Sequence, residues 1–241
     1  MSANLLTLEG VHTHIGAYHI LHGVDLVVPR GKLTMLLGRN GAGKTTTLRT
    51  IMGLWKASQG RITFNGQDIT ALETPRIAAL KIAYVPENMG IFADLTVKEN
   101  MLLAARSAKT VGQMDDTRLK WIFSLFPAVE KFWNHPAGKL SGGQKQMLAV
   151  SRAIVEPREL QIVDEPSKGL APVIINNMID AFAQLKASGV TILLVEQNIS
   201  FARRLGDSVA VMDNGVVVHS GSMQALAEDE ALQRSLLGLA L

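Results

Sequence analysis

The sequence contains no cysteine among its 241 residues. Disulfide bonds, thiolate metal sites and cysteine nucleophiles are therefore excluded. The 6 histidines are scattered, with no helical pair beside a carboxylate, so we do not expect a zinc site. Charge is nearly balanced, since 24 basic and 21 acidic residues leave a net charge of +3. A bias this small does not by itself point to a nucleic-acid partner.

Long apolar runs are also missing. A membrane-spanning helix needs about 18 or more consecutive apolar residues, and runs such as 101–105 and 192–195 are much shorter. Residues 1–9 do not combine a basic start with a long apolar core, so we expect no secretory signal. These absences predict a soluble cytoplasmic protein, which would meet a membrane only through partners.

Short apolar segments that alternate with helical segments make up most of the chain. The predicted strands are 5–8, 24–28, 34–37, 61–64, 82–85, 160–163, 191–195, 209–212 and 216–218. The predicted helices are 44–52, 96–106, 115–126, 142–156 and 172–186, followed by a short helical tail. Asn-Gly dipeptides at 65–66 and 214–215 predict tight hairpins. This alternation is typical of an α/β fold with a mainly parallel sheet covered on both faces.

Residues 90–139 contain no clear strand. We expect them to form a helical insertion within a single domain, 1–241, whose core comprises 1–89 and 140–241. No internal repeat or low-complexity linker indicates a second domain.

A glycine-rich segment follows the predicted strand 34–37 and precedes a predicted helix. It matches the phosphate-binding pattern G-x-x-x-x-G-K-[ST] in full. With the threonine that follows, its residues are Gly38, Arg39, Asn40, Gly41, Ala42, Gly43, Lys44, Thr45 and Thr46. The glycines let backbone N–H groups converge on phosphate oxygens, and the helix offers its positive end. We expect Lys44 to reach the β- and γ-phosphates of ATP and the Thr45 hydroxyl to ligate Mg²⁺.

Two acids end the apolar segment 160–163. Asp164 is expected to hold Mg²⁺ through its water shell, and Glu165 to polarise an attacking water. Taken alone, the same residues would also fit an ordinary strand followed by a solvated acidic turn. The phosphate-binding pattern upstream favours the catalytic interpretation.

The segment Leu140-Ser141-Gly142-Gly143-Gln144 resembles LSGGQ, the signature of ABC proteins, and it opens a long predicted helix. All three motifs stand in the order and spacing of that family. The chain therefore resembles, over essentially its whole length, the ATP-binding subunit of an ABC transporter. The resemblance implies a P-loop NTPase fold of the ABC type, with a mainly parallel core sheet, an antiparallel β subdomain and a helical subdomain insertion.

The resemblance also implies a head-to-tail dimer, because the signature of ABC ATPases binds ATP held by the other subunit. Ser141, Gly142, Gly143 and Gln144 would then contact ATP across the dimer, whose interface residues 167–171 would line. Implied partners are transmembrane permease subunits, an identical or different second ATPase subunit, and indirectly a substrate-binding protein, with no nucleic acid. The protein would sit on the inner face of the cell membrane.

Two departures from the general ABC pattern narrow the resemblance to one subfamily. Glu87 stands at the Q-loop position, where glutamine is usual, and Gln197 stands at the switch position, where histidine is usual. Both resemble the smaller ATPase subunit of branched-chain amino-acid importers and their urea and amide relatives. Glu87 is expected to ligate Mg²⁺ or to bind it through water, since oxygen ligands suit that ion. Gln197 is expected to donate a hydrogen bond to the γ-phosphate, with Glu165 and Lys44 completing the catalytic set.

A third departure concerns adenine. ABC ATPases usually stack an aromatic ring on the base one residue before a glycine, and Ile15 occupies that position here. Tyr18 and His14 are the nearby rings that would substitute.

Branched-chain amino acids are the first expectation for the cargo, with urea or short amides as the alternative. A soluble ABC ATPase acting on nucleic acid or ribosomes is a further alternative. Such proteins usually carry two ATPase domains, long coiled coils or zinc hooks, and this sequence shows none of them. Glu165 beside a complete phosphate-binding pattern argues against a homologue that does not hydrolyse ATP.

Overall fold

The computed structural model describes residues 4–237, in which two sheets pack against helices. The expectations for residues 1–3 and 238–241 lie outside the described residues. The larger sheet has the strand order β10-β9-β3-β8-β7-β6. Its strands are β3 (Leu33–Gly38), β6 (Ile82–Val85), β7 (Leu160–Asp164), β8 (Thr191–Glu196), β9 (Ser208–Asp213) and β10 (Val216–Ser222). All neighbours are parallel except β9 and β10.

The smaller sheet is antiparallel and has the order β2-β1-β4-β5. Its strands are β1 (Asn4–Ile15), β2 (Tyr18–Pro29), β4 (Ala57–Phe64) and β5 (Gln67–Asp68). The helices are α1 (Lys44–Ile51), α2 (Thr74–Ala79), α3 (Val97–Ala104), α4 (Asp116–Leu125), α5 (Pro127–Lys131), α6 (Gly142–Ile154), α7 (Pro172–Ala187), α8 (Ile199–Leu205), α9 (Met223–Glu228) and α10 (Glu230–Leu237). The predicted fold class, with a mainly parallel core, an antiparallel β part and a helical insertion, is confirmed.

The central strands β3, β7 and β8 are buried along their whole length. Parallel strands covered on both faces need continuous apolar sequence, and this explains why the predicted strands here lie within a residue of the observed ones. Between β6 and β7 the described chain forms helices, apart from one isolated bridge between Thr96 and Pro136. A capping box between Thr96 and Glu99 starts α3.

The first two strands are much longer than predicted. Segments 5–8 and 24–28 extend to strands of 12 residues each, which form one hairpin closed where Ile15 pairs with Tyr18. The predicted strands are too short because the residues that extend the observed strands include polar histidines. In the structure these histidines line the outer face, while Val11, Thr13 and Leu21 fill the buried face.

The turn between β9 and β10 joins the two sheets. Gly215 N donates to Ala42 O at 3.0 Å, and His22 N donates to Gly215 O at 2.9 Å. Gly215 has φ +78°, and a Cβ atom there would overlap the carbonyl oxygen of Ile20. Glycine at this position therefore allows the phosphate-binding loop, the turn and the smaller sheet to meet through backbone alone.

Within residues 4–237, no helix combines the length and the apolar character that crossing a bilayer requires.

We expect Gly215→Ala to destabilise the fold far more than Gly66→Ala. Both glycines have φ +78°, but nothing lies within 4 Å of a Cβ at Gly66. Left-handed strain alone should cost Gly66→Ala about 1–2 kcal/mol. The overlap with Ile20 should cost Gly215→Ala about 1–3 kcal/mol more. Urea denaturation of both variants would measure the difference, and equal losses would contradict the close packing of this turn.

Candidate active site

The phosphate-binding loop lies at the carboxyl end of β3. Gly38 has φ +148°, and Gly43, with φ +102°, is the N-cap residue of α1. A side chain at Gly38 would overlap the backbone of Met212 in β9, so the loop turns away from the sheet only with glycine there. No acidic residue occupies the first turn of α1. The backbone N–H groups at the helix start therefore present an uncompensated positive end, as anion-binding loops do.

Lys44 places its ammonium inside this loop. Its Nζ donates to Gly38 O at 2.9 Å and to Arg39 O at 3.0 Å, and lies 3.6 Å from Glu165 Oε1. The side chain is only 5% exposed. Burial lowers the pKa of Lys44, and the nearby carboxylate of Glu165 opposes that shift. The ammonium thus holds the loop together by binding two of its backbone carbonyls. It lies near the N-terminus of α1, which also contributes positive potential.

Asp164 ends β7 beside α1. Its Oδ1 accepts a hydrogen bond from Thr45 Oγ1 at 3.2 Å, while its buried Oδ2 has no hydrogen-bond partner in residues 4–237. Burial raises the pKa of Asp164 to about 6, and the charge of Glu165 adds to the shift. An unsatisfied carboxylate oxygen next to a hydroxyl fits a hard divalent cation such as Mg²⁺.

The protein supplies only part of such a coordination shell. In the described part of the chain, no three His, Asp or Glu side chains are grouped to hold a metal ion. Mg²⁺ commonly keeps waters and substrate phosphates among its ligands and takes only one or two carboxylates from the protein. Thr45 and Asp164 fit that limited role.

Glu165 follows Asp164 with φ +47°, a left-handed backbone that a non-glycine residue rarely adopts. Its Oε1 accepts from Gln197 Nε2 at 2.5 Å, and Lys168 Nζ lies 3.2 Å from its Oε2. Burial pushes the pKa of Glu165 upward, but these hydrogen bonds and the charge of Lys44 outweigh it and hold the pKa below its usual range. The side chain is therefore an oriented, ionised carboxylate.

Gln197 follows β8 and bridges two parts of the site. The same Nε2 that reaches Glu165 also donates to Asn40 Oδ1 in the phosphate-binding loop at 2.7 Å. A glutamine at this position can therefore link the loop to the carboxylate without titrating near neutral pH, as histidine would.

Glu87 lies after β6, and its Oε1 contacts Lys168 Nζ at 2.6 Å. Its charge contributes to the raised pKa of Asp164, so it belongs to the same electrostatic group. Sequence reasoning placed Lys168 among the residues that line the dimer interface, but it did not predict that Lys168 links Glu87 to Glu165. The only available signal was a lysine three residues after an acid in a tight turn.

The signature residues open α6. Ser141 is the N-cap: its Oγ accepts from Gln144 N at 3.3 Å, and its N donates to Gln144 Oε1 at 2.9 Å. Gly142 has open space at its Cβ position, whereas a Cβ at Gly143 would lie 2.8 Å from Ile174 Cγ2. The hydrogen bonds of Ser141 and Gln144 within residues 4–237 do not reach the phosphate-binding loop of the same chain.

Ile15 and Tyr18 close the β1–β2 hairpin, where Ile15 is partly buried and Tyr18 is 75% exposed. Sequence reasoning also missed a cluster of histidines on the outer face of this hairpin. The rings of His14 and His19 stack with centroids 4.1 Å apart, and His12 Nδ1 lies 3.0 Å from His19 Nε2. The period-two spacing of His12 and His14 on a strand was the signal that places them on one face.

Replacing the buried Asp164 carboxylate should stabilise the metal-free protein at neutral pH. We expect Asp164→Asn to raise the free energy of unfolding by about 1–3 kcal/mol, because it removes an incompletely paired buried charge.

The pKa of Asp164 in the folded protein, about 6, lies above its ordinary value of 3.8. The wild type therefore loses stability as pH rises from about 4 to about 6, and the gain from Asp164→Asn should vanish near pH 4. Thermal unfolding in EDTA at both pH values would check this. A gain of equal size at both would show that the carboxylate charge is not its cause.

The chain is similar in sequence and in fold to known proteins. The family model described as ABC transporter matches residues 21–168. The chain is 36% identical to the high-affinity branched-chain amino acid transport ATP-binding protein BraG of Pseudomonas aeruginosa, over 97% of this chain and 100% of the relative. It is 35% identical to the probable branched-chain amino acid transport ATP-binding protein LivF of Archaeoglobus fulgidus, over 92% of this chain and 93% of the relative.

A solved structure of an ATP-binding subunit of an ABC transporter superposes with a TM-score of 0.80 at 30% identity, covering 97% of this chain and 96% of that one. Members of this family hydrolyse ATP to power transport. Because the family model spans more than half of the chain and the relatives match nearly all of it, the chain belongs to the ATP-binding subunits of ABC transporters.

Proposed function

We propose that Thr45 and Asp164 hold Mg²⁺ with bound ATP, and that Glu165 orients and deprotonates the attacking water. The observation that carries this proposal is the adjacency of two different carboxylates. Asp164 offers a buried oxygen without a partner in residues 4–237, while Glu165 is ionised and held by hydrogen bonds. Asp164 can therefore accept a cation, while Glu165 is ionised and free to accept a proton from the attacking water, as hydrolysis requires.

The remaining site residues bind and orient the phosphates. Backbone N–H groups of 38–46 surround them, and the Lys44 ammonium exchanges its contacts with Gly38 O and Arg39 O for phosphate oxygens. Gln197 donates to the γ-phosphate from its position between Asn40 and Glu165. When bound, Mg²⁺ supplies positive charge that offsets the charge on the phosphates. Glu87 assists as an outer ligand through water.

The second half of each site comes from a second ATPase subunit. Ser141, Gly142 and Gln144 present an accessible helix N-terminus that makes no hydrogen bond to the phosphate-binding loop of its own chain within residues 4–237. A head-to-tail dimer would place this N-terminus, with Gly143 behind it, against phosphates bound to the partner. Tyr18, with its exposed ring beside Ile15, is the proposed contact for adenine.

Transmembrane permease subunits are the proposed partners on the inner face of the cell membrane. Residues 90–139 form the proposed helical subdomain, and the core comprises 1–89 and 140–241. A cavity of about 220 Å³ lies where this subdomain meets the core, lined by Tyr84, Pro86, Met89, Arg106 and Arg152. It begins next to Glu87, so a permease segment docked there would lie close to the active site.

The proposed cargo is a branched-chain amino acid, supported by the names of the relatives BraG and LivF. Urea and short amides are the alternative cargo. A substrate-binding protein outside the membrane would deliver the cargo to the permease and have no contact with this chain.

Glu165→Gln should abolish turnover while leaving ATP binding intact. We expect kcat to fall by about 10²–10⁴-fold, because the amide cannot accept the proton of the attacking water. Steady-state ATPase assays and calorimetric ATP titration would measure the two effects. Glu73→Gln is the matched control, since Glu73 is an exposed glutamate whose ion-pair partner, Lys56, is not one of the proposed site residues. Unchanged turnover in Glu165→Gln would rule out the proposed base.

The chain should co-purify with a hydrophobic permease, and it should support ATP-dependent uptake when it is reconstituted in vesicles with the permease, the second ATPase subunit and the substrate-binding protein. We expect leucine, isoleucine or valine to accumulate, and the Glu165→Gln complex to accumulate none. Labelled urea and acetamide, tested in parallel, distinguish the alternative cargo. Co-purification with ribosomes or DNA in place of a permease would contradict the transport function.

A further inference from the structure

Lys168 lies in the turn that follows Glu165, and its side chain joins two carboxylates. Its Nζ is 2.6 Å from Glu87 Oε1 and 3.2 Å from Glu165 Oε2. The Lys168 side chain is 54% exposed, whereas that of Glu165 is 8% exposed. One accessible ammonium therefore connects a surface carboxylate to the buried carboxylate at the centre of the site.

The backbone around Lys168 is fixed independently of its side chain. Glu196, buried at the end of β8, accepts from Ser167 N at 3.0 Å, and Lys168 N donates to Glu165 O at 3.2 Å. Before Pro166, Glu165 N donates to Val195 O at 3.0 Å, so backbone donors hold the turn on both sides of this proline. Removing the ammonium would leave this turn in place.

Counting acceptor sites on Glu165 shows what the ammonium does. An ionised carboxylate has about four lone-pair directions on its two oxygens. Gln197 and Lys44 approach Oε1, and Lys168 approaches Oε2. The remaining lone-pair direction is on Oε2. Lys168 therefore limits the positions from which a water can donate its proton to Glu165.

We propose that Lys168 is a positioning residue for ATP hydrolysis, which fixes Glu165 Oε2 toward the attacking water and is itself held by Glu87. This inference rests on the proposed role of Glu165 as the base. It also means that the loop after β6, which carries Glu87, can affect the orientation of Glu165. A permease segment that moved Glu87 would change the orientation of Glu165 through one ammonium.

The test is the split between kcat and KM in Lys168→Met. Within residues 4–237, Lys168 Nζ pairs with the two carboxylates and makes no hydrogen bond to the phosphate-binding loop. We therefore expect KM for ATP to stay within about twofold while kcat falls about tenfold. Lys168→Arg should recover most of the lost kcat, because a guanidinium can also bridge two carboxylates. The thermal midpoint should move by only a few degrees, since Lys168 is exposed and Glu165 keeps its contacts with Gln197 and Lys44.

The matched control is Lys120→Met. Lys120 Nζ forms an equally short ion pair, 2.6 Å from Asp116 Oδ2, and is also exposed, but it lies on α4. It should leave both kcat and KM unchanged. A general effect of losing a surface lysine would appear in both variants, and a positioning effect only in Lys168→Met.

A double-mutant cycle with Glu87→Gln tests the second half of the inference. If Glu87 acts by holding Lys168, its replacement should lower kcat in the wild type and have a much smaller effect in Lys168→Met. Equal, additive losses would show that Glu87 acts by another route, and would overturn the proposed link.

The outcomes separate this inference from the proposed function. If the wild type hydrolyses ATP, Glu165→Gln does not, and Lys168→Met matches the wild type, then Glu165 is the base and the positioning role is wrong. A parallel rise in KM, or no recovery in Lys168→Arg, would also overturn it. If Glu165→Gln remains active, the proposed base itself fails.

Discussion

Three buried parallel strands end side by side, and the arrangement of the site depends on this register. Asp164 pairs with Val195, and Leu37 pairs with Glu196, so β3, β7 and β8 finish at one edge of the sheet. The residues that come next are the phosphate-binding loop, Glu165 and Gln197. They are far apart in sequence, yet their side chains meet within hydrogen-bonding distance. Shifting one strand by a residue would turn its carboxylate to the other face of the sheet.

The same edge concentrates charge in a place with little solvent, and the charges balance only in part. Hydrogen bonds from Gln197 and Lys168 and the charge of Lys44 outweigh burial at Glu165 and hold the pKa of that carboxyl low. Within residues 4–237, Asp164 accepts one hydrogen bond, from the Thr45 hydroxyl, and its burial raises its pKa. Two neighbouring carboxylates thus differ in proton affinity because of their burial and their partners. Such contrasts are found at functional sites more often than at structural ones, because an unpaired buried charge costs stability.

The sequence predicted the parts of the fold and site that depend on local pattern. The apolar strands β3, β7 and β8 and the cap of α6 follow from periodicity and capping chemistry. The length of the β1–β2 hairpin was not predicted, because its outward-facing histidines alternate with buried positions that include a threonine, which makes the apolar alternation weak. Nor could local pattern show that Gln197 reaches Asn40, or that Lys168 joins Glu87 to Glu165, since these contacts depend on tertiary packing. The assigned roles of these side chains stay predictions.

The turn at Gly215 has a consequence for how the domain can evolve and be engineered. It is hydrogen-bonded to the phosphate-binding loop through Ala42 O and to the smaller sheet through His22 N, and both bonds use main-chain atoms. The two hydrogen bonds themselves therefore do not depend on the identity of the neighbouring side chains. Peptide inserted into this short loop would, in contrast, force the two sheets apart. The loop looks like an expendable surface hairpin in the sequence, yet it is a poor place for a tag, a label or a domain fusion.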